Sequence, residues 1–389
     1  MSGFFHGVEV NETEKLSTLI RDIETSVIGV VCTAEDADVE AFPLDTPVLI
    51  TRINSVIGKA GKTGTLYTTL KAISDQCSPK VIVVRVAEAK EDGEKTQDQL
   101  IIGGNNAEGR YTGMYALLTA EANLGERPRV LAVPGLDTKP VAMQLVIFAQ
   151  QIKAFAYVSA HGCKTIADAK KYREDFSQRE VMIIYPDVIA YNNQSGKNEV
   201  IPATAYAVGL RAKIDATQGW HKSISNVPLN NVLGLSADIY WTLQGKDTDA
   251  HDLNSKQITT LIKREGFRIW GNRTCDIEKY TFEVFTRTAQ ILSEMVAEAH
   301  FSYLDKTLTP SLVKDIVDGI NRKGSQLVTE GKLLGFHCWY DPADNPKEQI
   351  REGISHIRYK YTPVPPLENL KLTQEFTDEY FETAFAQIS

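Results

Sequence analysis

A chain of 389 residues is long enough for two or three domains, each with a buried core, and needs no cross-links to fold. Its 43% hydrophobic and 24% charged residues match a globular protein and exclude a disordered or membrane-spanning class. The net charge of −8 argues against non-specific binding to nucleic acid, because neutralising phosphates requires a basic surface. The amino terminus lacks a basic stretch followed by an apolar one, so we expect the chain to be cytoplasmic when made.

Residues 1–25 are predicted to form an amino-terminal arm and tether. Apolar and polar residues alternate in one short run, which is typical of a half-buried strand, and residues 13–22 after it are mostly polar. A lone strand leaves its backbone groups unpaired, so this one must join a sheet in its own chain or in a neighbouring one. The predicted strand consists of Gly7, Val8, Glu9, Val10, Asn11 and Glu12.

Residues 26–254 are predicted to form an α/β domain with a mostly parallel, helix-covered sheet, because short apolar runs alternate there with helical stretches. The predicted strands are Val27–Thr33, Pro47–Thr51, Lys80–Val86, Arg129–Val133, Phe155–Ala160 and Glu180–Pro186. The predicted helices are Thr65–Gln76, Tyr111–Asn123, Lys139–Lys153, Thr165–Phe176 and Ala203–Ala216. Two polar loops, Ala34–Thr46 and Ala87–Gly109, interrupt the alternation.

Residues 255–376 are predicted to form a second, α+β domain. Its centre is two amphipathic helices, Tyr280–Tyr303 and Pro310–Val328. The strands predicted after them are Phe336–Tyr340, Ser355–Tyr361 and Leu370–Phe376. The proline-rich stretch Tyr361–Leu367 should be an extended, rigid spacer, since proline lacks a backbone donor and keeps the preceding residue out of the helical region. Residues 377–389 are predicted to form a carboxy-terminal arm.

Two motifs raise the alternative of a nucleotide- or metal-binding α/β enzyme, and both fall short. Gly58–Gly64 resembles a phosphate loop, but Val56 stands where that motif needs its first glycine. Asp247–Asp252 alternates oxygen ligands like a calcium loop, but Ile258 stands where the closing glutamate belongs. The five cysteines are scattered and the seven histidines include no zinc-binding pair. We therefore expect no enzyme activity, no cofactor and no metal, with an α/β enzyme or a soluble scaffold as the alternatives.

Three segments resemble the tail sheath family of contractile phages and R-type bacteriocins. The first, Gly266–Thr274, is similar to the family's W-G-x-R-T signature, and the other two are the closing Tyr361–Leu370 and the opening His6–Val10. The residues that match the signature and the long helix after it are Trp270, Gly271, Arg273, Thr274 and Arg287. We expect Arg268 and Arg273 to be structural, tying strand to helix through carboxylate or carbonyl contacts.

The resemblance implies a carboxy-terminal domain that is completed by the amino-terminal segment and faces a tail tube, with the middle domain inserted and facing outwards. It implies a helical homopolymer of stacked hexameric rings around that tube, with baseplate and tail terminator proteins as further partners. Such a sheath assembles in the cytoplasm of a host bacterium, becomes part of a virion tail or a released tail-like particle, and contracts to drive the tube through a target envelope. The sheath itself contacts neither nucleic acid nor membrane. The resemblance does not distinguish a phage from a bacteriocin.

In such a polymer the terminal strands are candidates for insertion into the sheet of a neighbouring subunit, and head-to-tail insertion produces an open helix and not a closed dimer. The alternative is that both termini pair within their own subunit. Besides residues 7–12, the predicted arm residues are Leu370, Leu372, Phe376, Tyr380 and Phe381. The predicted tube contacts are Lys314, Arg322 and Lys323 on the second helix, for which an ordinary solvated face is the alternative.

Overall fold

A computed structural model describes residues 20–90 and 93–386, so the strand predicted at residues 7–12 lies outside the described residues. The strands there are β1 (Ile28–Thr33), β2 (Pro47–Ile50), β3 (Val81–Val86), β4 (Gly104–Asn105), β5 (Tyr111–Thr112), β6 (Val130–Ala132), β7 (Phe155–Ser159), β8 (Val181–Ile184), β9 (Val188–Asn192), β10 (Lys197–Ile201), β11 (Gly234–Leu235), β12 (Ile258–Lys263), β13 (Phe267–Trp270), β14 (Leu333–Tyr340) and β15 (Ile357–Pro363). The α-helices are α1 (Ile53–Val56), α2 (Leu66–Gln76), α3 (Gln97–Ile102), α4 (Ala120–Leu124), α5 (Lys139–Gln151), α6 (Ile166–Arg173), α7 (Ala203–Thr217), α8 (Asp249–Ser255), α9 (Glu283–His300), α10 (Pro310–Thr329), α11 (Lys347–Arg351) and α12 (Glu379–Phe385).

Eight strands form one large sheet in the order β13-β12-β8-β7-β6-β1-β3-β2. Strand β1 runs parallel to β3 on one side and to β6 on the other, and the parallel pairing continues from β6 through β7 and β8 to β12. Only the two edge strands, β2 and β13, pair antiparallel to their neighbours in this sheet. This confirms the predicted α/β fold with a mostly parallel sheet.

Helices cover both faces of the large sheet. All six residues of β1 and all six of β3 are buried, as expected for strands that are covered on two sides. On one face α2 and α7 contribute side chains such as Leu70 and Leu210 to the core, and on the other α5 contributes Leu145 and Phe148. No helix in the described part of the chain is both long and apolar enough to cross a membrane.

Two segments of this region differ from their prediction. The helix expected at Tyr111–Asn123 is a 3₁₀ helix over Gly113–Thr119 followed by the short α4, because Gly113 has a left-handed backbone with φ of 60°. The loop expected at Ala87–Gly109 contains α3, whose start is a capping box of Thr96 and Gln99. The spacing of a threonine three residues before a glutamine is the sequence signal that would have found this helix.

The large sheet continues past residue 254, where the sequence analysis divides the chain. Strand β12 pairs in parallel with β8, and β13 pairs with β12. The W-G-x-R-T segment therefore lies at the end of the last strand of this sheet. It connects the sheet directly to the long helix α9.

A separate core holds α9, α10 and the antiparallel hairpin of β14 and β15. Its buried side chains include Leu292 and Met295 of α9 and Leu327 of α10. The predicted helices Tyr280–Tyr303 and Pro310–Val328 agree with α9 and α10, and the predicted strands Phe336–Tyr340 and Ser355–Tyr361 agree with β14 and β15. Ile20 is buried in this same core, so the end of the predicted tether packs against the carboxy-terminal helices.

Candidate subunit interface

The chain after β15, residues 364–386, is called here the carboxy-terminal arm, and it begins earlier than the arm predicted at residues 377–389. It exposes most of its large apolar side chains. In this arm Leu372 is 84% exposed and Phe376 is 86% exposed, whereas a core residue such as Leu327 is fully buried. The other large apolar side chains of the arm that are exposed are Leu367, Leu370, Tyr380, Phe381 and Phe385. Contiguous exposed apolar surface of this kind marks a site of protein interaction.

The strand predicted at Leu370–Phe376 is wrong for the isolated subunit. Residues 364–378 have no regular secondary structure, and only α12 follows them. The alternation of apolar residues there is typical of a strand, but a strand forms only where a partner supplies the ladder of hydrogen bonds. In the single subunit no strand lies beside this segment within the part of the chain that the structure describes.

The hairpin of β14 and β15 is a two-stranded sheet with an unpaired edge on each side in the described residues. One face packs on α10, where the rings of Phe336 and Tyr359 stack with their centroids 5.7 Å apart. The other face carries Trp339 beside His337, with the Lys360 ammonium 5.8 Å from the Trp339 ring centroid. Two strands alone are marginal in water, so this hairpin could be stabilised by further strands.

The W-G-x-R-T segment is a rigid turn between β13 and α9. Gly271 has φ of 139°, and a Cβ atom there would lie 2.8 Å from the backbone of Thr259, so a larger residue cannot fit. Its N–H donates to the Ser225 hydroxyl at 3.0 Å. The buried Thr274 hydroxyl donates to the Tyr280 carbonyl at 2.7 Å, and the Trp270 ring packs edge-on against that of Trp241.

Arg273 of this segment holds the root of the carboxy-terminal arm. Its Nε donates to Oε1 of Glu368 at 2.8 Å and its Nη2 donates to Oε2 at 2.5 Å. The guanidinium carbon lies 5.6 Å from the ring centroid of Phe282, and the hydrogen bonds that Arg273 donates to Glu368 raise the pKa of Arg273. Arg268 instead donates to the carbonyls of Arg264 and Asn226. Both arginines bind carbonyl or carboxylate groups, but neither side chain ties a strand to a helix: the partners of Arg268 lie in turns, and the partner of Arg273 lies on the arm.

A buried network of four charged side chains joins the large sheet region to the carboxy-terminal helices. Arg211 and Asp215 of α7 lie 2.7 Å apart, and Arg211 lies 3.4 Å from Glu283 at the start of α9. Arg287 of α9 forms an ion pair with Asp215, and the Tyr157 hydroxyl donates to Glu283. Two positive and two negative charges balance in this network. Such a balance is what allows charged groups to be buried.

The sequence analysis identified Arg287 but missed the other three charged residues of this network. Arg211 and Asp215 stand four residues apart in a helix that is otherwise largely apolar, which is an ion-pair spacing. That pair could have been found. The pairing with Glu283 and Arg287 could not, because those residues follow about 70 positions later on a different helix.

Of the three predicted tube contacts on α10, two are exposed and the third is bound to other side chains of the same subunit. Lys314 and Arg322 are exposed. Lys323 is only 9% exposed, and its ammonium donates to Asp22 at 2.8 Å and to Gln326 at 3.4 Å. The inclusion of Lys323 in a solvent-facing patch is therefore wrong, because its side chain lies on the side of α10 that contacts Asp22 of the amino-terminal segment.

The glycine-rich turn that resembles a phosphate loop is already occupied by a carboxylate of the chain. Asp36 accepts hydrogen bonds from the N–H groups of Lys62 and Thr63 at 2.8 and 3.0 Å, and from the Thr63 hydroxyl at 2.6 Å. These bonds lower the pKa of Asp36 to about 2. An anionic ligand would have to displace an internal anion, so the turn is a poor site for a nucleotide.

The acidic run that resembles a calcium loop is instead the start of α8. The Thr248 hydroxyl caps this helix by accepting from the His251 N–H, and Asp249 accepts from the Tyr240 N–H at 2.8 Å. Asp252 forms an ion pair with Lys170 at 2.9 Å. No group of three or more potential metal-binding side chains occurs among residues 20–90 and 93–386.

A cluster of titratable groups lies at the carboxyl ends of β6, β7 and β8. Asp137 is fully buried and accepts from the Ser159 N–H at 2.6 Å, and His161 lies 3.4 Å from its other oxygen. The hydrogen bond to Asp137 raises the pKa of His161. Burial raises the pKa of Asp187 to about 6, although this carboxylate accepts from the Ala203 N–H.

Three family models match successive parts of the chain. The tail sheath protein Gp18 domain III N-terminal region matches residues 25–86, the phage tail sheath protein central domain matches residues 109–275, and the phage tail sheath C-terminal domain matches residues 276–377. Together they include both the large sheet and the helices that carry the arm.

Similar proteins and structures agree with these matches. The major tail sheath protein of Serratia phage KSP20 is 60% identical over 386 residues, covering 99% of this chain and 98% of that protein. The tail sheath protein of Escherichia phage P2 is 48% identical over 394 residues and is covered in full. The contracted sheath complex of PVC, an extracellular contractile injection system, has a TM-score of 0.72 at 16% identity, covering 97% of this chain and 99% of that one. At this identity the likeness concerns the fold.

Proposed function

This chain belongs to the phage tail sheath family and is a structural subunit of a contractile tail sheath, and we propose that its terminal arms join it to neighbouring copies in a helical polymer. The polymer consists of stacked hexameric rings around a tail tube, and the baseplate and a tail terminator protein are its further partners. Solved neighbours of this fold include contracted sheaths and a baseplate complex, which supports self-assembly and baseplate association. Assembly takes place in the cytoplasm of the host bacterium.

The exposure of the carboxy-terminal arm is the observation that carries this proposal. Transferring a Leu or Phe side chain from water into a core is favourable by about 1.5–3 kcal/mol. Ordering a residue costs about 1–2 kcal/mol, so an arm gains by becoming ordered only where its apolar side chains are covered. Because Leu372 and Phe376 are 84% and 86% exposed in the single subunit, a neighbouring copy is the surface that would cover them.

The hairpin of β14 and β15 is the acceptor in this proposal. Its unpaired edges can each take one more strand, and each new ladder hydrogen bond contributes about 0.5–1.5 kcal/mol net. The segments 7–12 and 370–376 of adjacent subunits supply those strands. Because donor and acceptor are different surfaces, each subunit both gives and receives, and the chain of contacts continues as an open helix.

Contraction then requires the linked subunits to rotate against each other. Residues 369–378 and the part of the predicted tether before Ile20 act as the connections between subunits, while each subunit moves as packed bodies, one being the large sheet with β12 and β13 and the other the helices and hairpin after it. In this arrangement the first body faces outwards and the second faces the tube. A gain of about 1 kcal/mol per subunit, summed over many subunits, would drive the tube without nucleotide hydrolysis.

The tube contact in this proposal is made by Lys314 and Arg322. Both are exposed on α10, whereas the ammonium of Lys323 is neutralised by Asp22 in the same subunit. Exposed charge pairs are specific but contribute little free energy, about 0–1 kcal/mol each. This weakness suits a sheath that must release its tube.

Deleting the arms one at a time tests the proposal. Variants that lack residues 1–12 or residues 370–389 should keep the melting temperature of the unassembled subunit but form no ordered tubes by negative-stain electron microscopy. The double substitution Phe376→Ser and Phe381→Ser should act like the carboxy-terminal deletion, whereas Lys371→Ser, which changes the same arm without removing an aromatic ring, should still form tubes. Ordered tubes from both deletion variants would refute the arm exchange.

A further inference from the structure

We propose that the ion pair of Arg273 and Glu368 fixes the place and direction in which the carboxy-terminal arm leaves its own subunit. This pair, called here the arm clamp, is a positioning device for assembly. The inference rests on the proposed function, because a fixed direction matters only if the arm reaches a neighbour.

Arg273 is itself held on a rigid base. Its backbone is bridged to Phe282, and the neighbouring Thr274 N–H donates to the Thr281 carbonyl at 2.8 Å. The Asn272 carbonyl accepts from the N–H of Glu283, the first residue of α9, at 3.0 Å. The guanidinium group is therefore placed by both the last strand of the large sheet and the first turn of the long helix.

The contact of the arm clamp fixes an orientation as well as a distance. Two parallel N–H···O bonds join the planar guanidinium to the Glu368 carboxylate, which constrains rotation in a way that one bond to a lysine ammonium would not. The ring of Phe282 beside the guanidinium carbon, 5.6 Å away, restricts the side chain further.

The chain between β15 and the arm clamp is short and stiff. Strand β15 ends at Pro363, and Pro365 and Pro366 follow before Glu368. Prolines fix φ and favour an extended backbone, so this spacer has little freedom between its two ends. One fixed point at Pro363 and a second at Glu368 together define a direction for the exposed residues that follow.

The arm clamp is suited to this role and not to holding the fold together. The side chains of Arg273 and Glu368 are 34% and 36% exposed. Partly exposed ion pairs contribute little to the stability of a fold. If the arm clamp positions the arm, breaking it should strongly weaken tube formation and change the melting temperature of the subunit little. If it instead stabilises the fold, breaking it should mainly lower the melting temperature.

Charge reversal in the full-length protein separates the two roles. The variants are Arg273→Glu, Glu368→Arg, the double swap of both, Arg273→Lys, and the control Glu174→Arg, which makes the same charge change at the exposed end of α6, outside the arm and the hairpin. We measure the critical concentration for tube formation by sedimentation and electron microscopy, and the melting temperature of unassembled subunits. Each single reversal should raise the critical concentration by roughly tenfold, because the arm loses its preorganisation, while the melting temperature stays within about 3 °C.

The double swap should restore assembly, Arg273→Lys should weaken it less than the charge reversals do, and Glu174→Arg should leave it unchanged. Normal assembly of both single reversals, in a protein whose 370–389 deletion forms no tubes, would overturn the arm clamp and leave the arm exchange intact. Normal assembly of the 370–389 deletion variant would overturn the exchange of the carboxy-terminal arm, and the clamp with it. Single reversals that lower the melting temperature strongly, with no recovery in the swap, would show a structural role and overturn the proposal.

Discussion

Replacing Arg287 by methionine should destabilise the subunit strongly, because it unbalances the buried charge network. Arg287 is 2% exposed and forms an ion pair with Asp215, whose side chain is fully buried. Without this cation, two carboxylates share Arg211 as their only arginine partner in the network. Breaking a buried pair by removing one partner costs about 3–5 kcal/mol. For a chain of 389 residues that corresponds to a loss of about 4–6 °C in melting temperature.

The assay is thermal and urea unfolding of unassembled subunits at low protein concentration, since assembly would add stability by mass action. The matched control is Lys139→Met, which removes the ion pair of Lys139 and Asp175. The side chain of Lys139 is 46% exposed and that of Asp175 is 38% exposed. That variant should lose less than about 1 kcal/mol. The double variant Arg287→Met and Asp215→Asn removes one charge of each sign, so it should be more stable than Arg287→Met alone.

A loss for Arg287→Met no larger than that of Lys139→Met would refute this reasoning. It would mean that water reaches the network and screens its charges. A double variant less stable than the single one would also contradict it, since the argument rests on charge balance.

Two further predictions concern the helix hairpin and the pH dependence of stability. A Cβ atom on Gly324 would overlap the Phe336 ring, so Gly324→Ala should cost about 1–3 kcal/mol in urea unfolding. Gly319→Ala in the same helix would place its Cβ 3.9 Å from the Arg322 guanidinium, an ordinary contact, and should stabilise by up to about 1 kcal/mol; equal effects would contradict the packing argument. Burial raises the folded-state pKa of Asp187 from 3.8 to about 6, so the free energy of unfolding falls as the pH rises through about 6. Asp187→Asn should therefore be more stable than the parent by about 2–3 kcal/mol at pH 8 and by little at pH 4. A constant difference between these pH values would contradict the assignment.

The amino-acid sequence by itself determined the class of the fold and most of its elements. Runs that are apolar on both faces, such as the one in β3, predict covered parallel strands, and the stripes of α9 and α10 predict helices packed on a core. These signals are local, because side chains repeat every two residues along a strand and every 3.6 along a helix. The motif at Trp270 to Thr274 is equally local, and the family that it indicates is confirmed by the matches to known sheath proteins.

Only the tertiary structure decided which charged and apolar groups are free and which are engaged. Lys323 looks like a surface cation until Ile20 and Asp22 of the amino-terminal segment are seen against its helix. Glu368 follows Arg273 by 95 residues, and no periodicity relates them.

The strand predicted at residues 370–376 also depends on a partner that the sequence does not identify. Its alternation is present in the sequence, but the single subunit offers no strand beside it in the described residues. Helices satisfy their hydrogen bonds within one segment, whereas strands and ion pairs need a partner that the fold brings from elsewhere. For that physical reason the elements of this protein can be predicted from its sequence, while their pairing depends on the folded chain and on its neighbours.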